Sequence, residues 1–244
     1  MNYDCLAPTG AIRVAIAVGS TKSAVWTRIP EGGTEPEGVT VDLARAIGAR
    51  TGLPVSLVPL SSSAEIIATA DDGVWDISFT PIDASRRAAV LVGTAFHVGE
   101  SSYLVRADSP FRRAEDLHRP GIVILGVAGT ATLRSAEKVA GGATLIAAAN
   151  LAEARTGFAE GKGDALALGR LALEDIAREM PGTRVTEGNF HVAETAVIAP
   201  KGHDAALAVA SELVRGLKAD GTVRESFLRH AMPEAVIPPD ETRG

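Results

Sequence analysis

Arg86 stands in a charged run, Asp83-Ala84-Ser85-Arg86-Arg87, just after a strand-like segment. A guanidinium suits carboxylate recognition because its planar fork gives two parallel, charge-assisted hydrogen bonds to one acid group. A solvated arginine paired locally with Asp83 is the competing reading. Gly129-Thr130 follows an apolar run and precedes a helical one. Backbone N–H groups at a helix start carry partial positive charge, so such a turn is an anion seat, although Gly in a strand-to-helix turn also has purely structural uses. Arg170 opens another helical pattern, where it either faces an anion or pairs with Glu174 on the following turn. The polar segment after the first strand offers Ser20, Thr21 and Lys22, with Trp26 as an aromatic to stack on a ligand or to pack its own loop.

Other chemistries lack their parts. The five histidines, His97, His118, His191, His203 and His230, show no metal-ligand spacing such as HExxH, so no metal is inferred. No GxSxG, no GxxxxGK before Ser or Thr, and no helix-opening GxGxxG occurs, so hydrolase, NTPase and dinucleotide readings fail and no cofactor is expected. Cys5 is the single cysteine, which rules out an intrachain disulfide and reads as an inert thiol.

These residues must be positioned by an α/β scaffold. The chain has 244 residues, 46% hydrophobic and 22% charged, enough for one large or two ordinary domains with a sizeable core. Its net charge of −6, without a basic stripe, argues against nucleic acid as a partner. No apolar run approaches the roughly 20 residues that span a bilayer, so no membrane insertion is expected. Met1 to Gly10 has neither a basic nor an apolar leader region, which predicts a cytoplasmic chain, or a periplasmic one if a signal has been trimmed ahead of Met1. Short β-branched runs alternate with amphipathic stretches, the pattern of βαβ units and mostly parallel sheets. Strands are expected at 12–18, 55–58, 75–80, 101–105, 122–127, 144–148, 164–168 and 190–198, with a charged turn at 83–87. Thr40 is expected to cap a helix ending before Gly52, and Ser62 to Glu65 and Asn150 to Glu153 read as capping boxes. Helices are expected over 204–217 and 223–230.

The opening Leu6-Ala7-Pro8-Thr9-Gly10-Ala11-Ile12-Arg13-Val14-Ala15, the segment Gly38 to Ala44, and Trp75-Asp76-Ile77 running to Arg86 resemble the first lobe of family 3 solute-binding proteins of bacterial ABC transporters. Gly129-Thr130, Gly163-Asp164-Ala165 and Pro200-Lys201-Gly202 resemble the later landmarks, in the family's order, so the likeness runs from about Leu6 to Met232. The resemblance implies the type II periplasmic binding protein fold: two Rossmann-like lobes, residues 1–100 with 195–244 and residues 101–194, joined by crossovers near 100–106 and 190–195, with a ligand cleft between them and hinge closure. It implies a small-molecule ligand, a monomer and an ABC permease as partner. It also puts Arg86 where the family grips a ligand carboxylate, and turns the Gly129-Thr130 pair toward the ligand. Pro81 replaces a hydroxyl that the family often carries, with Thr80 as its substitute, and Glu194 in the second crossover is a further candidate. Amino-acid binders of the family carry a second carboxylate where this chain has Gly169, followed by Arg170. That departure favours a carboxylate or dicarboxylate without a free amine. The absence of a leader also admits a soluble sensor. Cyclohexadienyl dehydratases resemble the same scaffold, and Glu174, Glu194 or His191 would then be the general acid.

Overall fold

The computed structural model describes residues 3–19, 26–30 and 32–240. Along the chain the elements are β1 (Ile12–Val18), β2 (Trp26–Thr27), α1 (Val39–Thr51), β3 (Val55–Leu60), α2 (Ser63–Ala68), β4 (Ile77–Pro81), α3 (Ala84–Ala89) and β5 (Leu91–Arg106). There follow β6 (Val123–Val127), α4 (Ala131–Val139), β7 (Thr144–Ala148), α5 (Leu151–Ala159), β8 (Ala165–Gly169), α6 (Arg170–Glu179), β9 (Thr183–Val185), β10 (His191–Ala199), α7 (Asp204–Ala219) and α8 (Thr222–Arg229). The chain divides into two compact units, one of residues 1–99 with 193–244, the other of residues 100–192. It passes from the first to the second within β5 and returns within β10.

In the first unit β1 is the hub, parallel to β3 from Ile12↔Val55 to Ala17↔Leu60, to β4 at Val14↔Ile77, and to β2 at Ala17↔Trp26. β10 runs antiparallel to β4 from Thr195↔Pro81 to Ile198↔Ser78. Trp75 is fully buried among Ala15, Ile66, Val90 and Ile198, and its indole N–H reaches Thr69 Oγ1 at 3.2 Å, which satisfies the one polar atom of that ring. Phe79, Phe96 and Phe227 form a second aromatic contact series, with centroids 5.5 and 6.4 Å apart.

In the second unit β5 pairs antiparallel with β8 and β9, and β6 lies parallel to both β8 and β7. β6, β8 and the second half of β5 are buried on both faces, whereas β7 leaves Thr144, Ile146 and Ala147 exposed. Tyr103, Val105, Ile124, Ala165 and Ala167 pack in one cluster, while the alternate residues Leu104, Leu125, Leu166 and Leu168 pack with Phe158 in another. A period of two with apolar residues at every position is what a sheet covered by helices on both sides requires.

Local chemistry sets several boundaries. Gly52 ends α1 at φ 71, a left-handed cap whose N–H returns to Gly48 O. Ser62 Oγ accepts from Glu65 N at 3.1 Å, but the Glu65 carboxylate takes the N–H and hydroxyl of Ser61 rather than the Ser62 N–H, so the reciprocal half of that box is shifted by one residue. Asn150 and Glu153 behave alike, with Glu153 accepting from Ala149 N. Three expectations are corrected. α1 begins at Val39 after Gly38, so Thr40 lies inside the first turn, buried, with a hydroxyl that takes no hydrogen bond. The charged turn at 83–87 is a short helix, because Asp83 Oδ1 accepts from Arg86 N at 2.9 Å and from Ser85 Oγ at 2.6 Å, a side-chain cap that makes the turn helical. β5 is also far longer than the 101–105 segment expected. Gly93 permits this: a Cβ there would lie 2.2 Å from Ser211 Oγ on α7.

Candidate functional site

In the first unit, Arg86 is brought to Thr80. Its Nη1 donates to Thr80 Oγ1 at 2.9 Å and to Pro81 O at 2.6 Å, and its Nη2 donates to Ser63 Oγ at 2.9 Å. Three elements set this geometry. β4 ends at Thr80-Pro81, the Asp83 cap starts α3 so that Arg86 falls in its first turn, and the Ser62 cap starts α2 at Ser63. Arg86 is 8% exposed and Thr80 fully buried. A guanidinium so fixed costs little further ordering when it meets an acid group. Ser63 was missed at the sequence level, because it lies 23 residues from Arg86 and its visible role was to open α2. Arg87, the next residue, points to a different partner, Glu194 Oε2 at 3.8 Å, with both side chains about half exposed. Glu194 also accepts from Ile82 N through its backbone carbonyl.

In the second unit, Thr130 caps α4. Its hydroxyl accepts from Leu133 N at 3.2 Å and donates to Val127 O at 2.8 Å. Gly129, at φ 71, makes the left-handed turn before it, and Arg134 Nη1 reaches the Gly129 carbonyl at 3.0 Å. Arg170, the first residue of α6, braces the segment before β10: Nε and Nη2 donate to Asn189 Oδ1 at 3.0 and 2.7 Å, and Nη2 donates to Gly188 O at 2.5 Å. Its ion pair is made with Glu100 Oε2 at 3.1 Å, where the sequence pointed to Glu174. Ser102 Oγ donates to Gly188 O at 2.9 Å from the other side. Asn189 and Glu100 had no signal in sequence, being joined to Arg170 only through the β5–β8 ladder and the return of the chain toward β10.

Ser20 lies outside the described residues, as does the side chain of Trp26, whose backbone forms β2. Of the acids named for catalysis, Glu174 sits on α6 and His191 at the start of β10, while Glu194 belongs to the first unit. Among the described residues no group of three or more His, Cys, Asp or Glu could hold a metal ion, and no helix is long and apolar enough to cross a membrane.

Comparison with known proteins agrees with the α/β fold. A sequence profile described as bacterial extracellular solute-binding proteins, family 3, matches residues 16–231. A glutamine-binding protein of Geobacillus stearothermophilus is 27% identical over 165 residues, which are 66% of this chain and 62% of that protein. Among solved structures, a mutant of ArgBP from T. maritima superposes with a TM-score of 0.74 at 20% identity, covering 95% of this chain and 99% of its own. The ancestral amino acid-binding protein AncCDT-1, a precursor of cyclohexadienyl dehydratase, gives 0.76 at 22% identity, covering 93% and 97%. AbpA from Streptococcus pneumoniae, an amino acid ABC transporter substrate-binding protein bound to L-arginine, gives 0.75 at 16% identity, covering 93% and 97%. At these identities the structural likenesses speak for the fold.

Proposed function

The chain belongs to the bacterial extracellular solute-binding proteins of family 3, and on that premise we propose that it binds a small organic solute through the solute's carboxylate, with Arg86 as the grip. The observation that carries this reading is the Arg86 guanidinium itself, almost buried yet held by Thr80, Pro81 and Ser63 just past the C-terminal end of β4. β1, β3 and β4 are parallel, and open α/β sheets gather ligands beyond the carboxyl ends of their strands. Ser63 follows the end of β3 and Arg86 the end of β4, so both belong to that edge of the first unit.

The names of the glutamine-binding relative and of the arginine- and amino-acid-binding neighbours support an amino-acid-like solute. Delivery to an ABC permease, outside the inner membrane, belongs to the same proposal, as do Thr130, Gly129, Ser20, Trp26 and Glu194 as further ligand contacts. Binding, not turnover, is the activity proposed. The test is a thermal-shift screen of the pure protein against amino acids, mono- and dicarboxylates, keto acids and prephenate. A solute at about 100 times its Kd stabilises by roughly 2.7 kcal/mol, a rise of several degrees. A carboxylate hit that vanishes in Arg86→Ala supports the reading. A hit that survives Arg86→Ala, or one that is chemically converted, contradicts it.

A further inference from the structure

We propose that β7 is a homotypic docking edge: two copies of the chain pair their β7 strands antiparallel about Ile146, in place of the monomer that the family resemblance implies. The inference is independent of the solute and lies wholly within the second unit. β7 closes the strand order β8-β6-β7, and among the described residues it pairs with β6 alone. Thr144 N donates to Ile122 O at 2.8 Å, Ala148 O accepts from Ala128 N at 2.9 Å, and alternate residues of a strand turn their backbone groups the same way. Thr144, Ile146 and Ala148 therefore face β6. Leu145 and Ala147 each turn one N–H and one C=O outward, away from the sheet.

That pattern is its own complement. With Ile146 opposite Ile146 of a second copy, Leu145 meets Ala147 of that copy and exchanges both N–H···O bonds with it, and the two-fold axis repeats the pair to give four hydrogen bonds. The central isoleucines form the non-hydrogen-bonded pair, whose side chains lie closest, and Ile146 is 41% exposed in the single chain. Charge favours a second copy here. A net charge of −6 sets two copies against each other, but Ala140 to Ala152 carries no charged residue. The edge also lacks the usual guards. β7 has no lysine, no proline and an unbroken register with β6, whereas β3, which pairs with β1 alone, carries Pro59. One strand pair buries little area, so the dimer is weak and concentration-dependent.

Sedimentation velocity of the full chain, from about 5 to about 500 µM, should show a monomer–dimer equilibrium. The dimer should be lost in Ile146→Lys and in Ile146→Glu, each of which sets like charges against each other on the axis. An equimolar mixture of these two variants should regain it, which misfolded chains could not do. In a Cys5→Ser background, Ile146→Cys should cross-link to a second copy under mild oxidation, because Cβ atoms of such a pair approach to about 4.5 Å, within reach of a disulfide. Leu145→Cys in the same background should not, because its opposite number is Ala147. A wild-type chain that stays monomeric throughout overturns the proposal, as does a dimer that survives both charge variants or a mixture of them that fails to associate. Cross-linking of Leu145→Cys in place of Ile146→Cys overturns it too.

Discussion

Arg86 and Arg170 are equivalent cations in the sequence, and their surroundings separate them. The Arg86 fork lies against two hydroxyls and a carbonyl at the end of a strand, whereas Arg170 spans a loop and a glutamate. Arg86→Lys should therefore weaken carboxylate binding by about 100-fold, because an ammonium cannot reproduce two parallel hydrogen bonds, with calorimetry as the check. Arg170→Ala should act on stability instead. It strips the Thr186 and Gly188 carbonyls and Glu100 of their shared donor, and urea unfolding should show a loss of about 1–3 kcal/mol. His97 supplies a pH dependence. It is buried against Phe227, its Nδ1 takes no hydrogen bond, and burial pushes its pKa down from 6.5 to about 4. The unfolded chain takes up a proton below about 6.5 and the folded chain does not until about 4, so this contribution is whole above 6.5 and is lost as pH falls toward 4, at ~1.4 kcal/mol per pH unit. Between pH 7 and pH 5, His97→Leu should shrink the acid-induced loss of stability by roughly 2 kcal/mol, measured by urea melts at both values.

Among the elements, Asp76 and Asp164 repeat one device in the two units. Each immediately precedes a strand and accepts a backbone N–H from the first or second residue of the neighbouring strand at 2.8 Å, Arg13 N for Asp76 and Val123 N for Asp164. Each also donates its own N–H back to that residue's carbonyl at 2.8 Å. The two landmarks Trp75-Asp76-Ile77 and Gly163-Asp164-Ala165 are thus strand clamps. Asp76 is fully buried and also holds the Arg13 guanidinium through Nε and Nη2, so Asp76→Ala should cost about 3–5 kcal/mol and Asp164→Ala about 1–2, by denaturant unfolding. What was legible in sequence at this scale was local. The caps at Ser62, Asn150 and Gly52, and the apolar runs of β6 and β8, announce themselves within a few residues. α3 was hidden because Ala84-Ser85-Arg86-Arg87 has no apolar periodicity and depends on the Asp83 cap. The first half of β5 was hidden because Gly93, His97 and Gly99 interrupt its alternation, and its fit to α7 depends on Ser211, more than a hundred residues away. The candidate site divides in the same way. Arg86 and Thr130 were marked by type and position, but Ser63, Asn189 and Glu100 become neighbours only through folding.

For the whole molecule, the order of elements inserts one compact unit into the other, and each has its own buried cluster: Trp75 with Ile66 and Ile198 in the first, Tyr103 with Ile124 and Leu104 with Phe158 in the second. Alternation of strand and helix made the α/β class readable, since periodicity is a local property, whereas the type II periplasmic binding protein fold was implied by the family resemblance alone; the assignment of strands to two units depends on long-range pairing that periodicity does not encode. Two units with separate cores need not unfold together, so the calorimetric enthalpy should exceed the van 't Hoff value in the absence of solute. The central claim concerns what the assembled chain does, and titration of wild type and Arg86→Ala with amino acids and simple carboxylates tests it most directly. Saturable one-to-one binding of a carboxylate-bearing solute by wild type, weakened at least about 100-fold in a folded Arg86→Ala chain, is the predicted result. Binding of equal strength by both chains would contradict the account.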